Sequence, residues 1–426
     1  MSQHPLVEAL REFAPYLHAH HGRTFVLCIP GEALRGDDRR ALIYDIALLR
    51  SLGVRLVLVH GARPQIESRL EHDACPCDVV QGLRITTPAA MSSVTAAVGA
   101  VRMELEALLS TGVASSPMGG ARLEVTGGNW VVARPVGVRH GVDFQLTGEV
   151  RRINVDPIQA ALNRGAIVLL SPAGYSPTGE TFNLLAEEVA LKAAVALRAD
   201  KLVYLHPEPS AATPNQWSLT TAREHLAQTP DDALFRAAVE AAEAGVPRVH
   251  VVSAMSDGAL LTELYTRDGI GRMIASDGYD AARPARIDDV GGILQLIEPL
   301  ERKGVLVPRS REQLELDIDR FLVMTRDAMV IGCCALMPYP DEQIGEIACI
   351  VVHPDYQREG RADALLRQAE ARARAEGLTR VMALTTHTPH WFVERGFKQA
   401  DVNSLPVEKR ALYNLQRNSQ VFIKTL

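Results

Sequence analysis

The chain has 426 residues, 47% of them hydrophobic, which is enough for two or three domains with buried cores. Its net charge of −6, from 45 Lys and Arg against 51 Asp and Glu, forms no basic stripe, which argues against a nucleic-acid surface; six cysteines are too few for a disulfide scaffold. The longest apolar runs, Val54 to Val59 and Ala166 to Leu170, fall far short of the ~20 residues a membrane span needs, and the N-terminus carries no signal-peptide pattern, so a cytosolic protein with no membrane partner is expected.

In chain order, Leu6, Leu10, Phe13 and Leu17 recur at spacings of three and four and predict a leading helix within residues 1–22. From Thr24 the pattern alternates strand (TFVLCIP), helix (RRALIYDIALLRSLG), strand (VRLVLVHG) and helix from Pro64, the βαβ signature of a mostly parallel sheet. WVVARPV, AIVLLSP, KLVYLHP and RVHVVSA supply further strands, giving one α/β domain over residues 23–276. Cys75 and Cys77 are the closest cysteine pair, and without a second pair or a His cluster no metal is expected. The Gly-, Asp- and Pro-rich stretch around residues 277–284 reads as a linker. Residues 285–426 follow another pattern: helix IDDVGGILQLIEPLERKG, turn VPRSRE, a helix from Glu312, paired strands, a helix over 360–376, strand RVMALTT and closing strand SQVFIKTL, an α+β domain.

The sharpest local signal is EIACIVVHPDYQREGRADALL, an apolar strand ending at His353-Pro354, then a loop with Gln357, Arg358, Gly360, Arg361 and Ala362 that opens a helix. Unpaired backbone N–H groups and the helix dipole make such a start a site for a pyrophosphate; Gly360 allows close approach and Ala362 does not block it. The stretch resembles the coenzyme A loop of the GCN5-related N-acetyltransferases, [Q/R]-x-x-G-x-[G/A] after V-x-P, and WFVERGF resembles their later F-Y-x-x-x-G-F element. That element often supplies a Tyr to protonate the leaving thiolate; Phe392-Val393 offers none, so another group must act as the acid.

Over nearly its whole length, through LVLVHGA, QGLRIT, ARPVGV, TFNL, KLVYL, LLTELYTRDGIG, RSRE, GEIACI, WFVERGF and RNS, the chain resembles the bacterial N-acetylglutamate synthases. The resemblance implies a three-layer α/β/α amino-acid-kinase-like domain joined to an α+β acetyltransferase domain, acetyl-coenzyme A as co-substrate, L-glutamate as acceptor, L-arginine as feedback effector, and a hexamer. A dicarboxylate calls for Arg forks, and Arg309, Arg311 and Arg417 stand at turns. By resemblance Arg309 and Arg417 bind substrate carboxylates, and Cys349 lies beside the acetyl group. Glu346, three residues before Cys349, is placed to act as general base, directly or through a water; by resemblance Ser419 is the acid or the hydrogen-bond donor to the thiolate, with Tyr413 as second candidate; Ile350 or Val351 N–H is placed to polarise the thioester carbonyl. An acetyl-Cys349 intermediate is disfavoured, since no His stands at motif distance to activate the thiol. His387 and His390 read as cleft-edge or surface residues.

The first domain resembles acetylglutamate kinase, but the expected K-x-G-G strand end is FVLCIPGEAL without Lys, N-x-N-A-D is NLLAE with Glu187 in place of Asp and Leu185 in place of the second Asn, and HGxGP is HGARP. A phosphate cradle so altered would be badly impaired. What remains matches the arginine site of arginine-inhibited kinases, with Tyr16, Lys201, His250, Glu263, Gly269 and Gly271 in the corresponding places and Arg272 where a small or hydroxyl residue is usual. Kinase activity, an arginine-binding regulator with a degenerate acetyltransferase domain, and another amine acceptor are the competing readings. A domain serving only assembly is a further one. The apolar stripe of Leu6, Leu10, Phe13 and Leu17 is expected to interlock with another subunit in either case.

Overall fold

The computed structural model describes residues 5–36, 39–110, 123–207, 216–230, 232–266, 269–275, 282–326, 329–357, 360–411 and 419–426. The chain divides into two compact units, residues 1–278 and 279–426.

The first unit opens with α1 (Pro5–His20), followed by β1 (Thr24–Ile29), α2 (Arg39–Ser51), β2 (Arg55–His60), α3 (Arg63–His72) and α4 (Pro88–Ser110). Then come β3 (Val125–Thr126), α5 (Val155–Asn163), β4 (Ile167–Leu170), α6 (Ala186–Leu197), β5 (Lys201–His206), β6 (Gln216–Ser218), α7 (Leu219–Gln228), α8 (Ala233–Glu243), β7 (Arg248–Ser253), α9 (Ala259–Tyr265) and β8 (Arg272–Ala275). These strands form one sheet in the order β6-β8-β7-β5-β1-β2-β4-β3, parallel except where β7 meets β8. Its central strands are apolar on both faces because both are covered. Val26, Cys28, Val57 and Val59 pack with Ala190, Ala194, Phe235 and Val239 on one side; Phe25, Leu27, Leu56 and Leu58 pack with Ile46, Leu49, Val94 and Leu264 on the other. The result is the expected three-layer sandwich. The strand expected at WVVARPV forms, and Val131–Pro135 belongs to a separate four-stranded sheet with Gly148–Ile153, Ala173–Tyr175 and Thr181–Asn183. Its alternating burial marks a strand covered on one face, unlike the continuous burial of the central parallel strands.

In the second unit β9 (Arg283–Pro284) pairs with β10 (Phe321–Arg326), so the last residues of the stretch read as linker already belong to this unit's sheet; Arg283 is held there by a bidentate pair with Asp289. Between them lie α10 (Val290–Arg302) and α11 (Arg311–Leu316). The chain continues through β11 (Met329–Tyr339), β12 (Ile344–Val352), α12 (Arg361–Ala375), β13 (Arg380–Thr385), α13 (Pro389–Glu394), β14 (Lys398–Ala400), α14 (Val407–Ala411) and β15 (Gln420–Thr425). Sheet order is β9-β10-β11-β12-β13-β15-β14. Helix α12 packs on one face, against Ile331, Ile347 and Val381; α10 packs on the other, against Phe321, Val323 and Cys333.

Two irregularities in this sheet decide where a ligand fits. Strands β12 and β13 are parallel neighbours only over Ile344↔Arg380, Gly345↔Val381 and Glu346↔Met382, although β12 runs on to Val352 and β13 to Thr385. Beyond Glu346, among the described residues, β12 pairs only with β11. Its other edge faces a gap with main-chain polar groups available to an extended ligand. The second irregularity is a bulge: Cys333 opposes Val351 and Ala335 opposes Ala348, so Cys349 and Ile350 share one partner, and Cys349 takes φ +50°.

Candidate active site

The bulge sets the chemistry of one sheet face. Alternation puts Glu346 and Ala348 on the α10 side, and the extra residue puts Cys349 there too, with its side chain in the cluster of Val323, Phe321 and Ile297. Arg309, in the loop before α11, reaches this face: its Nη1 donates to Cys349 Sγ at 2.6 Å, its guanidinium lies 5.7 Å from the Phe321 ring centroid, and its backbone N–H donates to Glu301 Oε1 at 3.0 Å. Burial pushes the Cys349 thiol up, with Arg309 opposing, so at neutral pH it is protonated. A buried thiol beside one guanidinium is a packing and contact group, a poor nucleophile.

Glu346 is 6% exposed. Two groups converge on its Oε2, the Lys409 ammonium at 2.7 Å and the Tyr339 hydroxyl at 3.4 Å. Burial together with the Glu346 charge pushes the Tyr339 phenol up, so it stays a donor. Sequence reasoning missed both partners. Tyr339 stands opposite Ile344 on β11, a register unknown before the strands are paired, and Lys409 belongs to a five-residue helix with no periodicity to flag it.

Across the gap, Ser419 immediately precedes β15, whose Gln420 pairs with Thr385 at the end of β13. The structure therefore brings Glu346, Cys349 and Arg309 together on one wall and sets Ser419 at the end of the opposite one. Arg311 is not brought in; it pairs with Glu315 on the exposed side of α11. Arg358, Tyr413 and Arg417 lie outside the described residues.

Strand β12 leads into the predicted anion loop. Gly360, at φ +75°, caps α12 with no side-chain cap, leaving the first-turn N–H groups of Arg361, Ala362 and Asp363 without helical partners. Two side chains expected to meet a ligand are engaged elsewhere. Gln357 Nε2 donates to Val352 O at 3.0 Å, and Arg361, 4% exposed, donates to Tyr356 O at 2.8 Å with its guanidinium 5.5 Å from the Tyr356 ring centroid. They shape the loop, which leaves its main chain as the part presented to an anion.

The first unit holds a second constellation. His250 Nδ1 and Glu263 Oε1 are 2.6 Å apart, and the backbone N–H groups of Ile270 and Gly271 donate to Glu263 Oε2 at 2.8 and 2.7 Å. Burial raises the Glu263 carboxyl, but these bonds outweigh it and hold it below its usual range; burial and the Lys201 charge push His250 down, so it is neutral. An ionised carboxylate only accepts, which puts the imidazole proton on Nδ1 and leaves Nε2 an acceptor with no partner among the described residues. The turn needs its glycines: a Cβ on Gly269, at φ +60°, would lie 2.5 Å from Glu263 Oε2, and one on Gly271 would lie 2.5 Å from Val251 O. Lys201, buried, sits 5.8 Å from the Phe25 ring centroid. On α1, Tyr16 neighbours His20, whose ring meets Phe25 and Tyr265, each at 5.2 Å. Arg272 turns to Asp232 at 3.2 Å and to the Phe235 ring, away from the glycine turn.

At the C-terminal ends of β1, β2 and β5 opens a cavity of about 1090 Å³ lined by Gly31, Gly61, Arg63, Asn183, Glu187 and Lys192 among others. This is the crevice where open α/β sheets bind ligands. Cys28 and Pro30 occupy the strand end where a kinase would carry its phosphate-binding Lys.

Residues 23–253 match the amino acid kinase family, and residues 292–397 match the acetyltransferase (GNAT) family. Amino-acid acetyltransferase of Azotobacter vinelandii is 49% identical over 99% of each chain, and that of Pseudomonas putida is 48% identical with the same coverage. The chain belongs to the amino-acid acetyltransferase family. N-acetylglutamate synthase of Neisseria gonorrhoeae, in a crystal structure complexed with coenzyme A and L-arginine, is 36% identical to this family member and superposes with a TM-score of 0.88, covering 99% of each chain. The same synthase complexed with coenzyme A and N-acetyl-glutamate superposes with a TM-score of 0.63 at the same identity and coverage. Membership fixes the class of enzyme as an acyltransferase with a kinase-fold first unit.

Proposed function

We propose that the chain transfers the acetyl group of acetyl-coenzyme A to the amino group of L-glutamate, giving N-acetyl-L-glutamate and coenzyme A, and that L-arginine regulates it through the glycine turn of the first unit. The carrying observation is the meeting of Glu346 with the Arg309–Cys349 pair on one strand face, just where β12 parts from β13. The ligands of the two Neisseria gonorrhoeae structures support it.

The acetyl thioester lies in the gap, with the coenzyme's pyrophosphate on the Gly360–Ala362 main chain. An N–H of Ile350 or Val351 on the gap edge donates to the thioester carbonyl. Glu346 takes a proton from the substrate ammonium through Oε1, the oxygen that Lys409 and Tyr339 leave open. The amine then forms the C–N bond as the C–S bond breaks. Ser419 hydrogen-bonds the leaving thiolate, which receives, through that hydroxyl or a water, the second proton that the nitrogen sheds as the amide forms, while the first leaves Glu346 to solvent. Arg309 and Arg417 hold carboxylate. In the first unit, Lys201 meets the arginine carboxylate, Tyr16 closes over the site from α1, and His250 Nε2 accepts from the bound cation. Glu263 has three acceptor positions filled and holds the turn in shape. Leu10 and Phe13, exposed on α1, support assembly through this helix into the hexamer that the sequence resemblance implies.

A thiol-release assay tests the reading. Release must require glutamate, and Glu346→Gln must lower kcat by roughly 100- to 10,000-fold, the range a general base contributes; an unchanged kcat in that variant refutes the role of Glu346.

A further inference from the structure

A base that accepts a proton from an α-ammonium sits within hydrogen-bond reach of that nitrogen, ~2.6–3.2 Å. The α-carboxylate is bonded to the same carbon as the nitrogen, so it too falls beside the base. Two carboxylates that close disfavour each other unless a cation stands between them. For an enzyme acting on a simple amine the problem does not arise, so a cation placed at the base carries information about the substrate.

Lys409 is such a cation. Its ammonium has three donors, and among the described residues Glu346, at 2.7 Å, is the one partner it meets. It is held there by the sheet. Leu405, just before α14, packs with Ile344, Met382 and Val421, and the Val407 N–H donates to Glu342 Oε1 at 3.2 Å. These contacts fix α14 over the strand ends where β12 and β13 still pair, one step before the gap opens. Both protein donors go to Glu346 Oε2, which leaves Oε1 for the substrate nitrogen and the remaining Lys409 donors for an oxygen next to it. Arg309 reaches the same face from the opposite end, at Cys349, and is free to take a more distant carboxylate.

We propose that Lys409 is a specificity-determining residue: its ammonium bridges Glu346 and the α-carboxylate of the incoming amino acid, so the site accepts α-amino acids and rejects amines that lack this group. The assignment rests on the acetyl-transfer reading and adds to it which group recognises which end of the substrate.

The test compares L-glutamate with L-glutamic acid α-amide, which keeps the amino group and the γ-carboxylate, by thiol release from acetyl-coenzyme A on the full-length enzyme. Lys409→Met should cut kcat/KM for glutamate by about 100-fold, the effect of truncating one member of a desolvated charge pair, and change kcat/KM for the α-amide by less than about 3-fold, the collapse of selectivity expected when a recognition group is lost. Lys409→Arg should restore part of the selectivity. Equal losses for both substrates overturn the proposal, because they mean that Lys409 acts only on Glu346 or on the fold; a shift of the acid limb of the pH profile, alike for both substrates, says the same. A wild-type enzyme that releases no thiol with either substrate overturns the acetyl-transfer reading itself.

Discussion

Replacing Glu263 by Gln removes one charge from the centre of the turn without changing its shape. The carboxylate takes part in three hydrogen bonds, with His250 Nδ1 at 2.6 Å and the N–H groups of Ile270 and Gly271 at 2.8 and 2.7 Å. Bonds to a charged acceptor contribute roughly 1.5–3 kcal/mol each, against about 1 for a neutral pair. Gln can keep its oxygen on the two N–H groups and donate to His250 after the ring moves its proton to Nε2, yet it forfeits about 1 kcal/mol per bond, roughly 3 in all. At ~1.4 kcal/mol per factor of ten, that is on the order of 100-fold in the equilibrium for the ordered turn. Calorimetry should therefore show arginine binding up to about 100-fold weaker in Glu263→Gln, with thiol release in the absence of arginine unchanged. The pH dependence follows from the same bonds. A carboxyl held below its usual 4.5 contributes fully above that value and loses its contribution as the pH falls through the folded value, so the glutamate-dependent part of arginine binding is lost only on the acid side. Arginine affinity in the variant within about 3-fold of wild type refutes the role of the turn, since a lost charge at its centre would have to cost under ~0.7 kcal/mol.

Asp45 on α2 is buried, and desolvation with the neighbouring Asp257 pushes its carboxyl from 3.8 up to about 7. A raised folded value means that its contribution is intact below pH ~4 and is lost as the pH rises through 7, so Asp45→Asn should flatten the pH dependence of the melting temperature and stabilise the protein at pH 8 by up to about 4 kcal/mol. Cys349→Ala should keep kcat within about tenfold, and mass spectrometry should find no acetyl group on the wild-type protein; a thousandfold loss would restore the covalent route. Gly360→Val, forcing a β-branched residue to φ +75°, should raise KM for acetyl-coenzyme A with little effect on kcat, as read by initial rates.

Much of the fold was legible because its signals are local. The central strands of the first sheet are continuous apolar runs, and the anion loop carries its glycine where the backbone turns left-handed. At Val131–Pro135 the strand was legible but not its sheet, because the same apolar letters serve any sheet and only the alternation of burial distinguishes the small sheet from the large one. In the anion loop the residue positions were legible but not the side-chain directions. Arg361 stands where the loop opens the helix, yet its side chain folds under the loop onto Tyr356.

The site itself depends on register, which sequence patterns leave open. Glu346 and Cys349, three apart, should lie on opposite faces of a regular strand, and a carboxylate on one face cannot share a ligand with an Arg–Cys pair on the other. The bulge cancels that half-step: with Cys349 at φ +50°, both residues face α10 and Arg309 meets the face that carries Glu346. The same extra residue bends β12, and its pairing with β13 ends after Glu346, between that residue and the bulge. Straightening the strand, for example by deleting Ile350, would put Glu346 and Cys349 back on opposite faces and close the gap as well. One local distortion thus sets both the face that carries Glu346 and Cys349 and the opening between β12 and β13, which is why the motif GEIACI can mark this stretch of the sheet.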